Sequence, residues 1–258
     1  MILAIDIGNT NIKFGFIHEN TIVSTFNMAT DSGKTSDEYW LFLKIIAANA
    51  NIDLNKIDGI AICSVVPTLD PVFLTMSRRY FNKNPILVEP GIKTGVTINT
   101  DNPREVGADI VAISAGAIQY YKIPCIIISY GTATVFMGIS KEKELIGVAI
   151  SPGLISSAEA LFKKTSKLPR VDLKDPHTYL GKNSSLSLQA GFYYGFQGLS
   201  RNIILGMKNE MKEENIQVIA TGGYSSLLKS CVKEIDIVDP YLSLKGLSVI
   251  YDKNLANR

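Results

Sequence analysis

Short apolar runs separated by turn-forming residues dominate the first thirty positions of the chain. The runs lie at 2–5, 12–18 and 21–28, and the breaks between them are Gly8-Asn9-Thr10-Asn11 and Glu19-Asn20. Runs of this length with polar breaks are typical of β-strands, and breaks this short join neighbouring antiparallel strands. The pattern therefore predicts a three-stranded antiparallel meander.

After residue 30, helical and strand-like segments alternate. Ser36, followed by Asp37, Glu38 and an apolar run to Ala48, has the N-terminal cap and acidic first turn of a helix. Further helices are predicted at 69–81, 104–121, 155–164 and 187–211, and after Gly223. Strands are predicted at 60–66, 85–88, 125–129, 135–139, 145–150 and 218–220. This alternation predicts an α/β fold.

The opening pattern recurs in the second half of the chain. A shift of 123 positions lays residues 5–11 over residues 128–134 and Gly15 over Gly138. Each segment has a hydrophobic strand, a turn that begins with glycine, and a second strand, which is the form of a duplicated phosphate-binding hairpin. Two unrelated hairpins are the alternative. Duplication predicts two similar α/β domains, at residues 1–115 and 116–258.

Composition and charge exclude several classes of protein. The 258 residues are 46% hydrophobic and 19% charged, and their formal net charge of +2 is too balanced for a protein whose main partner is nucleic acid. Cys63, Cys125 and Cys231 are far apart in mostly apolar surroundings, which favours buried thiols in a reducing cytoplasm over disulfides or a zinc site.

One uncharged stretch approaches the length of a membrane span. It covers residues 123–140, but Pro124, Gly131 and Gly138 interrupt it, which favours two buried strands around a glycine turn. The first residues also lack the basic segment of a secretory signal. We therefore expect no membrane association.

The glycine turns are the candidate sites of chemistry. Residues 8–11 offer backbone N–H groups that can hold phosphate oxygens, and Asp6 beside them would repel phosphate unless a cation such as Mg²⁺ lay between. A plain hairpin turn is the alternative, and the second copy at 131–134 argues against it. Thr221-Gly222-Gly223 offers a nucleoside close approach to the backbone, or is only a strand-to-helix turn. P-loop and dinucleotide-binding motifs are missing.

An ordered set of short motifs runs across the chain. The most specific is Asn-Pro-Arg-Glu-Val-Gly-Ala-Asp at 102–109. The others are Asp-Ile-Gly-Asn-Thr-Asn at 6–11, Gly-Thr-Ala-Thr at 131–134, Pro-Gly at 152–153, Ala-Glu-Ala-Leu-Phe at 158–162, Leu-Pro-Arg-Val at 168–171 and Thr-Gly-Gly at 221–223. With these motifs in this order, the chain resembles type III pantothenate kinases of the acetate and sugar kinase/Hsp70/actin superfamily.

The resemblance implies two ribonuclease H-like domains with ATP in the cleft between them, a cytoplasmic homodimer, and ATP-dependent phosphorylation of pantothenate, the first step of coenzyme A biosynthesis. It implies Asp109 as the proton acceptor, Asp6 as a contact of the Mg²⁺ bound with ATP, and position 129 as a ligand of a monovalent cation, K⁺ or NH₄⁺. The residues implied for ATP are Asp6, Gly8, Asn9, Thr10, Asn11, Lys13, Gly131, Thr132, Gly222 and Gly223. Those implied for pantothenate are Thr100, Gly107, Ala108, Asp109, Ile110 and Ser184, the last across the dimer.

Three of these positions depart from the usual family pattern. Ile110 replaces an arginine that could pair with the carboxylate of pantothenate, and Lys93 or Arg104 would have to supply that charge instead. Ser129 replaces an aspartate, so we expect dependence on a monovalent cation to weaken or vanish. Ser184 replaces a threonine and keeps the hydroxyl group.

Three hypotheses about function follow from these departures. The first is a working pantothenate kinase with local compensation. The second is a kinase whose acceptor lacks the carboxylate, such as pantetheine. The third is a non-catalytic relative that acts as an accessory or regulatory protein.

Overall fold

The computed structural model describes residues 1–255, which form two compact units. The strands are β1 (Ile2–Ile7), β2 (Asn11–His18), β3 (Thr21–Ala29), β4 (Gly59–Ser64), β5 (Ile86–Leu87), β6 (Thr97–Ile98), β7 (Cys125–Tyr130), β8 (Ala133–Ile139), β9 (Glu144–Pro152), β10 (Gln217–Thr221) and β11 (Ile237–Val238). The α-helices are α1 (Ser36–Asn49), α2 (Asp70–Phe81), α3 (Ala108–Tyr120), α4 (Leu154–Lys164), α5 (Ser184–Met211), α6 (Ser225–Lys229) and α7 (Leu242–Leu255).

Unit 1 comprises residues 1–96, residues 101–121 and the C-terminal segment that begins at Leu242. Within the described residues its sheet has the order β3-β2-β1-β4-β5, in which β1, β2 and β3 form the predicted antiparallel meander and β4 and β5 continue in parallel. One face of β1 and β2 packs with α1 and α2 around buried Phe14, Tyr39 and Phe73. The meander and the α/β class are thus confirmed.

Unit 2 comprises residues 97–100 and 122–241 and repeats this topology. Its sheet, as far as the chain is described, has the order β11-β10-β7-β8-β9-β6. Five of these strands, β9-β8-β7-β10-β11, match β3-β2-β1-β4-β5 in order and direction, and β6 is added at the edge beside β9. The repeated topology favours duplication over two unrelated hairpins.

The two hairpins nevertheless differ by one residue in the turn. Four residues, 8–11, connect the paired positions Ile7 and Ile12, whereas three residues, 131–133, connect Tyr130 and Thr134. Gly15 is therefore equivalent to Met137, because their partners Ala4 and Ile127 correspond, and the predicted match of Gly15 with Gly138 is wrong. A comparison of the two halves at one constant offset cannot detect that the second turn is one residue shorter than the first.

The compact units divide the chain differently from a single boundary between residues 115 and 116. Helix α3 stays with unit 1 to its end, and α7, which the sequence pattern does not predict, also belongs to unit 1. Helices α3 and α7 touch backbone to backbone at two glycines: a Cβ on Gly246 would lie 1.7 Å from the carbonyl oxygen of Ala112, and one on Gly116 would lie 2.6 Å from that of Leu242. Only glycine allows helices this close.

Two helices begin at other residues than the sequence predicts. The side chain of Thr35, not Ser36, accepts the Glu38 N–H of α1, and the Glu38 carboxylate accepts the Thr35 N–H in return. Residues 103–105 form a 3-10 turn and Val106 and Gly107 are extended, so α3 begins at Ala108 rather than at 104.

Other sequence predictions can be compared directly with the described residues. Cys63, Cys125 and Cys231 are buried free thiols, as predicted. Residues 123–140 form β7 and β8 around a turn. In the portion of the chain that the structure describes, no helix combines the length and apolar character needed to span a bilayer.

Candidate active site

The carboxylate of Asp6 lies near the end of β1, in the middle of the unit 1 sheet. It pairs in register with Lys13 on β2 and Cys63 on β4, and the residue is only 8% exposed. One oxygen, Oδ2, accepts a 2.7 Å hydrogen bond from the Ser243 hydroxyl of α7. The other, Oδ1, accepts a longer hydrogen bond of 3.5 Å from the Cys63 thiol. A carboxylate has about four acceptor positions, so further sites remain on both oxygens.

The first glycine turn follows Asp6 directly. The Gly8 N–H donates to the carbonyl oxygen of Asn11 at 3.1 Å, and a Cβ on Gly8 would lie 3.0 Å from that same oxygen. Thr30, the residue directly after β3, holds the turn by donating its hydroxyl to the Gly8 carbonyl at 2.6 Å and its N–H to the Thr10 carbonyl at 3.0 Å. Asn9, Thr10 and Asn11 are exposed. The turn is therefore braced while its tip faces solvent.

Asp109 is the second residue of α3, at the positive end of the helix dipole. The backbone N–H groups of Asp109 itself and of Ile110 favour the ionised form of its carboxylate and so lower its pKa. A Cβ on Gly107 would lie 2.5 Å from Oδ1 of Asp109, so glycine at 107 leaves the space into which the carboxylate turns back. Ala108 begins the helix beside it, and the Ile110 side chain is buried at 7% exposure.

Burial raises the pKa of the Asp109 carboxyl group, and the negative charge of Asp6 raises it further. The two backbone N–H donors and the Lys13 ammonium group lower that pKa, but they do not cancel the rise. Asp6, Lys13 and Asp109 thus belong to one electrostatic cluster in unit 1. A raised pKa makes Asp109 a stronger base than an exposed aspartate.

The second glycine turn, in unit 2, is supported from two sides. The Gly131 N–H donates to the Ala133 carbonyl at 3.0 Å. The Thr132 carbonyl accepts from the Gly153 N–H at 3.0 Å and from the Ser156 hydroxyl at 2.6 Å. A Cβ on Gly153 would lie 2.2 Å from the carbonyl oxygen of Gly131, which accounts for the glycine in the Pro-Gly motif at 152–153.

The Thr-Gly-Gly motif supports the other side of this turn. Gly222 has φ +90°, and a Cβ there would lie 2.5 Å from the carbonyl oxygen of Tyr130. Gly223 next to it has ordinary φ and open space around it. Half-buried Ser129 lies opposite Thr221 on β10 and Val135 on β8. Unit 2 therefore brings Gly131, Thr132, Gly222 and Ser129 to one end of its sheet.

Two further predicted substrate residues, Thr100 and Ser184, belong to unit 2. The buried hydroxyl oxygen of Thr100 has no hydrogen-bond partner within residues 1–255. Ser184 is the exposed first residue of α5, where the Asn183 side chain caps the helix by accepting the Leu186 N–H at 2.9 Å.

Sequence reasoning missed the residues that hold the clusters in place. Ser243 contacts Asp6 from 237 positions away, and Thr30 braces the first turn from the residue directly after β3. Neither has a local signal, because a serine or threonine near an apolar run looks like any capping residue.

The carboxylates of unit 1 fit a Mg²⁺ ion that arrives with a nucleotide. Mg²⁺ usually binds through one or two carboxylates together with phosphate oxygens and water, not through a complete protein cage. The described residues contain no group of three or more His, Cys, Asp or Glu side chains able to hold a metal by themselves. Asp6 keeps free acceptor positions beside the first glycine turn.

Comparison with known proteins identifies relatives along nearly the whole chain. A sequence model of the family "Type III pantothenate kinase" matches residues 2–205. The type III pantothenate kinase of Citrifermentans bemidjiense is 45% identical over 254 residues, which cover 98% of this chain and 100% of that protein.

Solved structures agree with the fold. A conserved Campylobacter jejuni protein with a proposed identity as a Baf-family transcriptional activator has a TM-score of 0.60 at 20% identity, over 98% of this chain and 99% of that one. A Sinorhizobium meliloti protein with a proposed identity as a 2-dehydro-3-deoxygalactonokinase has a TM-score of 0.58 at 10% identity, over 97% and 96% of the two chains. The fold is that of the acetate and sugar kinase/Hsp70/actin superfamily, as predicted.

Proposed function

Because the chain belongs to the type III pantothenate kinase family, we propose that it transfers the γ-phosphoryl group of ATP to pantothenate, the first step of coenzyme A biosynthesis. The observation that carries this proposal is Asp109, a half-buried carboxylate at the start of α3 whose pKa is raised by burial and by Asp6. A base of this kind close to a braced glycine turn is what transfer of a phosphoryl group to an alcohol requires.

The glycine turns are the proposed phosphate contacts. In unit 1 the exposed tip formed by Asn9, Thr10 and Asn11 would bind phosphate oxygens, and Gly8 shapes the turn. Lys13 supplies the positive charge. In unit 2 the same role falls to Gly131 and Thr132, and the open space at Gly223 beside Gly222 suits a nucleoside that approaches the backbone.

The proposed reaction needs one proton transfer and one displacement. The acceptor hydroxyl oxygen forms a bond to the γ-phosphorus while the bond from that phosphorus to the bridging oxygen breaks, and ADP keeps the electron pair. The hydroxyl proton passes to the Asp109 carboxylate. Because the transition state is loose and highly charged, the protein acts mainly by aligning the reactants and balancing charge.

Asp6 would hold the Mg²⁺ that ATP brings. When bound, this ion neutralises the charge that develops on the phosphate oxygens. Ser129 offers only a neutral oxygen at the position that the resemblance assigns to a monovalent cation, so we propose weak dependence on K⁺ or NH₄⁺.

The proposed acceptor site contains Ile110, which departs from the usual family pattern. We propose that Gly107, Ala108, Asp109 and Ile110, together with Thr100 and Ser184, contact the acceptor. Ile110 places a buried apolar side chain at the position where an arginine could pair with the carboxylate of pantothenate, and losing such a charge-assisted bond costs about 1.5–3 kcal/mol. This apolar side chain is the observation that favours pantetheine as a second candidate acceptor.

Two further features come from the family resemblance. We propose that the protein is a homodimer, with Ser184 reaching the acceptor of the partner subunit, and that it works in the cytoplasm. The mass of the purified protein in solution by light scattering tests the first, and fractionation of its native host cells tests the second.

The deciding experiment measures ATP-dependent phosphorylation of pantothenate and of pantetheine side by side. We expect pantothenate to be the better acceptor, and Ile110→Arg to lower its KM about 10-fold or more, with Ile110→Met as the matched control. If pantetheine is preferred and Ile110→Arg reverses the preference, the second candidate replaces the first. If the wild type binds ATP but transfers its γ-phosphoryl group to neither acceptor, the hypothesis of a non-catalytic relative is correct.

A further inference from the structure

The hydrogen bond between Ser243 and Asp6 joins the last helix of the chain to its first strand. The Ser243 hydroxyl lies 2.7 Å from Oδ2 of Asp6, and Ser243 and Asp6 are 4% and 8% exposed. Among residues 1–255, the other oxygen of Asp6 accepts only from the Cys63 thiol, at 3.5 Å, and a thiol is a weak donor. Ser243 is therefore the main described restraint on rotation of this carboxylate.

Packing fixes Ser243 in this position. Gly246, three residues further along α7, lies against the carbonyl oxygen of Ala112 so closely that a Cβ would sit 1.7 Å from it. Ala112 is in the first turns of α3, three residues after Asp109. The helix that presents the hydroxyl to Asp6 is thus packed against the helix that carries Asp109, and neither can slide without breaking this contact.

We propose that Ser243 is a positioning residue that orients the Asp6 carboxylate toward the Mg²⁺ of the bound nucleotide. This inference rests on the part of the proposed function in which Asp6 holds that ion. Groups that hydrogen-bond a metal-binding carboxylate set its orientation, and their removal typically lowers metal affinity about 10- to 100-fold. A fixed carboxylate also need not be ordered again each time Mg²⁺ arrives.

The test compares ATP binding with and without Mg²⁺ by isothermal titration calorimetry, with no acceptor present. We expect Mg²⁺ to tighten ATP binding to the wild type, and Ser243→Ala to lose about 10-fold or more of that gain while binding Mg²⁺-free ATP normally. Ser243→Thr, which keeps the hydroxyl group, should restore the gain. Ser248→Ala is the matched control, because Ser248 is an equally buried serine on the same helix.

Three results would overturn the proposal. They are an unchanged Mg²⁺ gain in Ser243→Ala, an equal loss in Ser248→Ala, and wild-type ATP binding that does not respond to Mg²⁺. Should Ser243→Ala fail to fold, Ser243→Cys replaces it, since a thiol keeps the volume and donates weakly. Failure of the wild type to phosphorylate pantothenate would contradict the proposed function alone, because this measurement involves no acceptor.

Discussion

Asp109 combines its proposed role as the proton acceptor with a cost to stability. Its pKa in the folded protein is raised by burial and by the charge of Asp6. A carboxyl group with a raised folded-state pKa favours folding most at low pH, and this contribution is lost as pH rises through the folded-state pKa. At neutral pH the ionised group is therefore a net cost.

Asp109→Asn should consequently make the nucleotide-free protein more stable at pH 7.5. We expect the unfolding temperature to rise by about 2–4 °C, which corresponds to about 1 kcal/mol for a chain of this size. The control is Asp37→Asn, because Tyr80 and Arg79 lower the pKa of exposed Asp37 and the sign is opposite. Scanning calorimetry makes the comparison, and a less stable Asp109→Asn protein would contradict this account of the site.

The same shift predicts the acid side of the pH–rate profile. Protonated Asp109 cannot accept the proton of the alcohol, so kcat/KM should fall as pH decreases through the pKa of this group. Because that pKa is raised, the midpoint should lie above the value of about 3.9 for an unperturbed aspartate. Steady-state rates across this range measure it, and a midpoint at or below 3.9 would mean that another group limits the rate.

At the scale of elements, glycine turns and their neighbouring strands account for most of the site. The sequence identified both turns, because glycine followed by small polar residues after an apolar strand is typical of a tight turn. It did not identify what braces them. The contacts from Thr30 and Gly153 depend on strand pairing and helix placement that no local pattern specifies.

The two glycines of the Thr-Gly-Gly motif should respond differently to alanine. Gly222→Ala should destabilise unit 2 by more than about 1 kcal/mol, since it has φ +90° and a Cβ would lie 2.5 Å from the Tyr130 carbonyl oxygen. Gly223→Ala should fold with stability close to that of the wild type, because nothing surrounds its Cβ position. Urea unfolding of both variants tests this, and equal losses would show that the turn is not built on Gly222.

Helix α7 shows where prediction from sequence fails at this scale. Nine of the ten positions from Leu242 to Tyr251 are buried, and they include Ser243 and Ser248. The polar residues of this segment therefore do not mark the solvent-facing side by which a surface helix is recognised. Its place in unit 1 depends on contacts with α3 at Gly116 and Gly246, far apart in sequence. A single boundary between residues 115 and 116 assigns every later residue to the second domain. It therefore cannot describe a chain whose last helix belongs to unit 1.

For the whole molecule, the strand order of the two units carries the fold assignment. The internal repeat predicted two similar halves, and the shared order and direction of five strands in each described sheet agree with it. The added edge strand β6 and the shorter second turn were not predictable, because both arise from tertiary pairing.

Ser129 is the residue from which we predict how the whole enzyme responds to monovalent cations. With Ser129 in place of a carboxylate, K⁺ should activate phosphoryl transfer less than about 2-fold when ionic strength is held constant with a large organic cation. Ser129→Asp is the matched variant and should gain activation by K⁺. A strong K⁺ requirement in the wild type would show that other oxygens complete the cation site.

The most direct test of the central claim is formation of phosphopantothenate by the purified protein and by Asp109→Asn, followed by mass spectrometry. We predict that the wild type converts pantothenate to a product heavier by one phosphoryl group, in amounts equal to the ADP released. Asp109→Asn should bind ATP normally and be about 10²- to 10⁴-fold slower. An Asp109→Asn protein that forms this product at the wild-type rate would contradict the account.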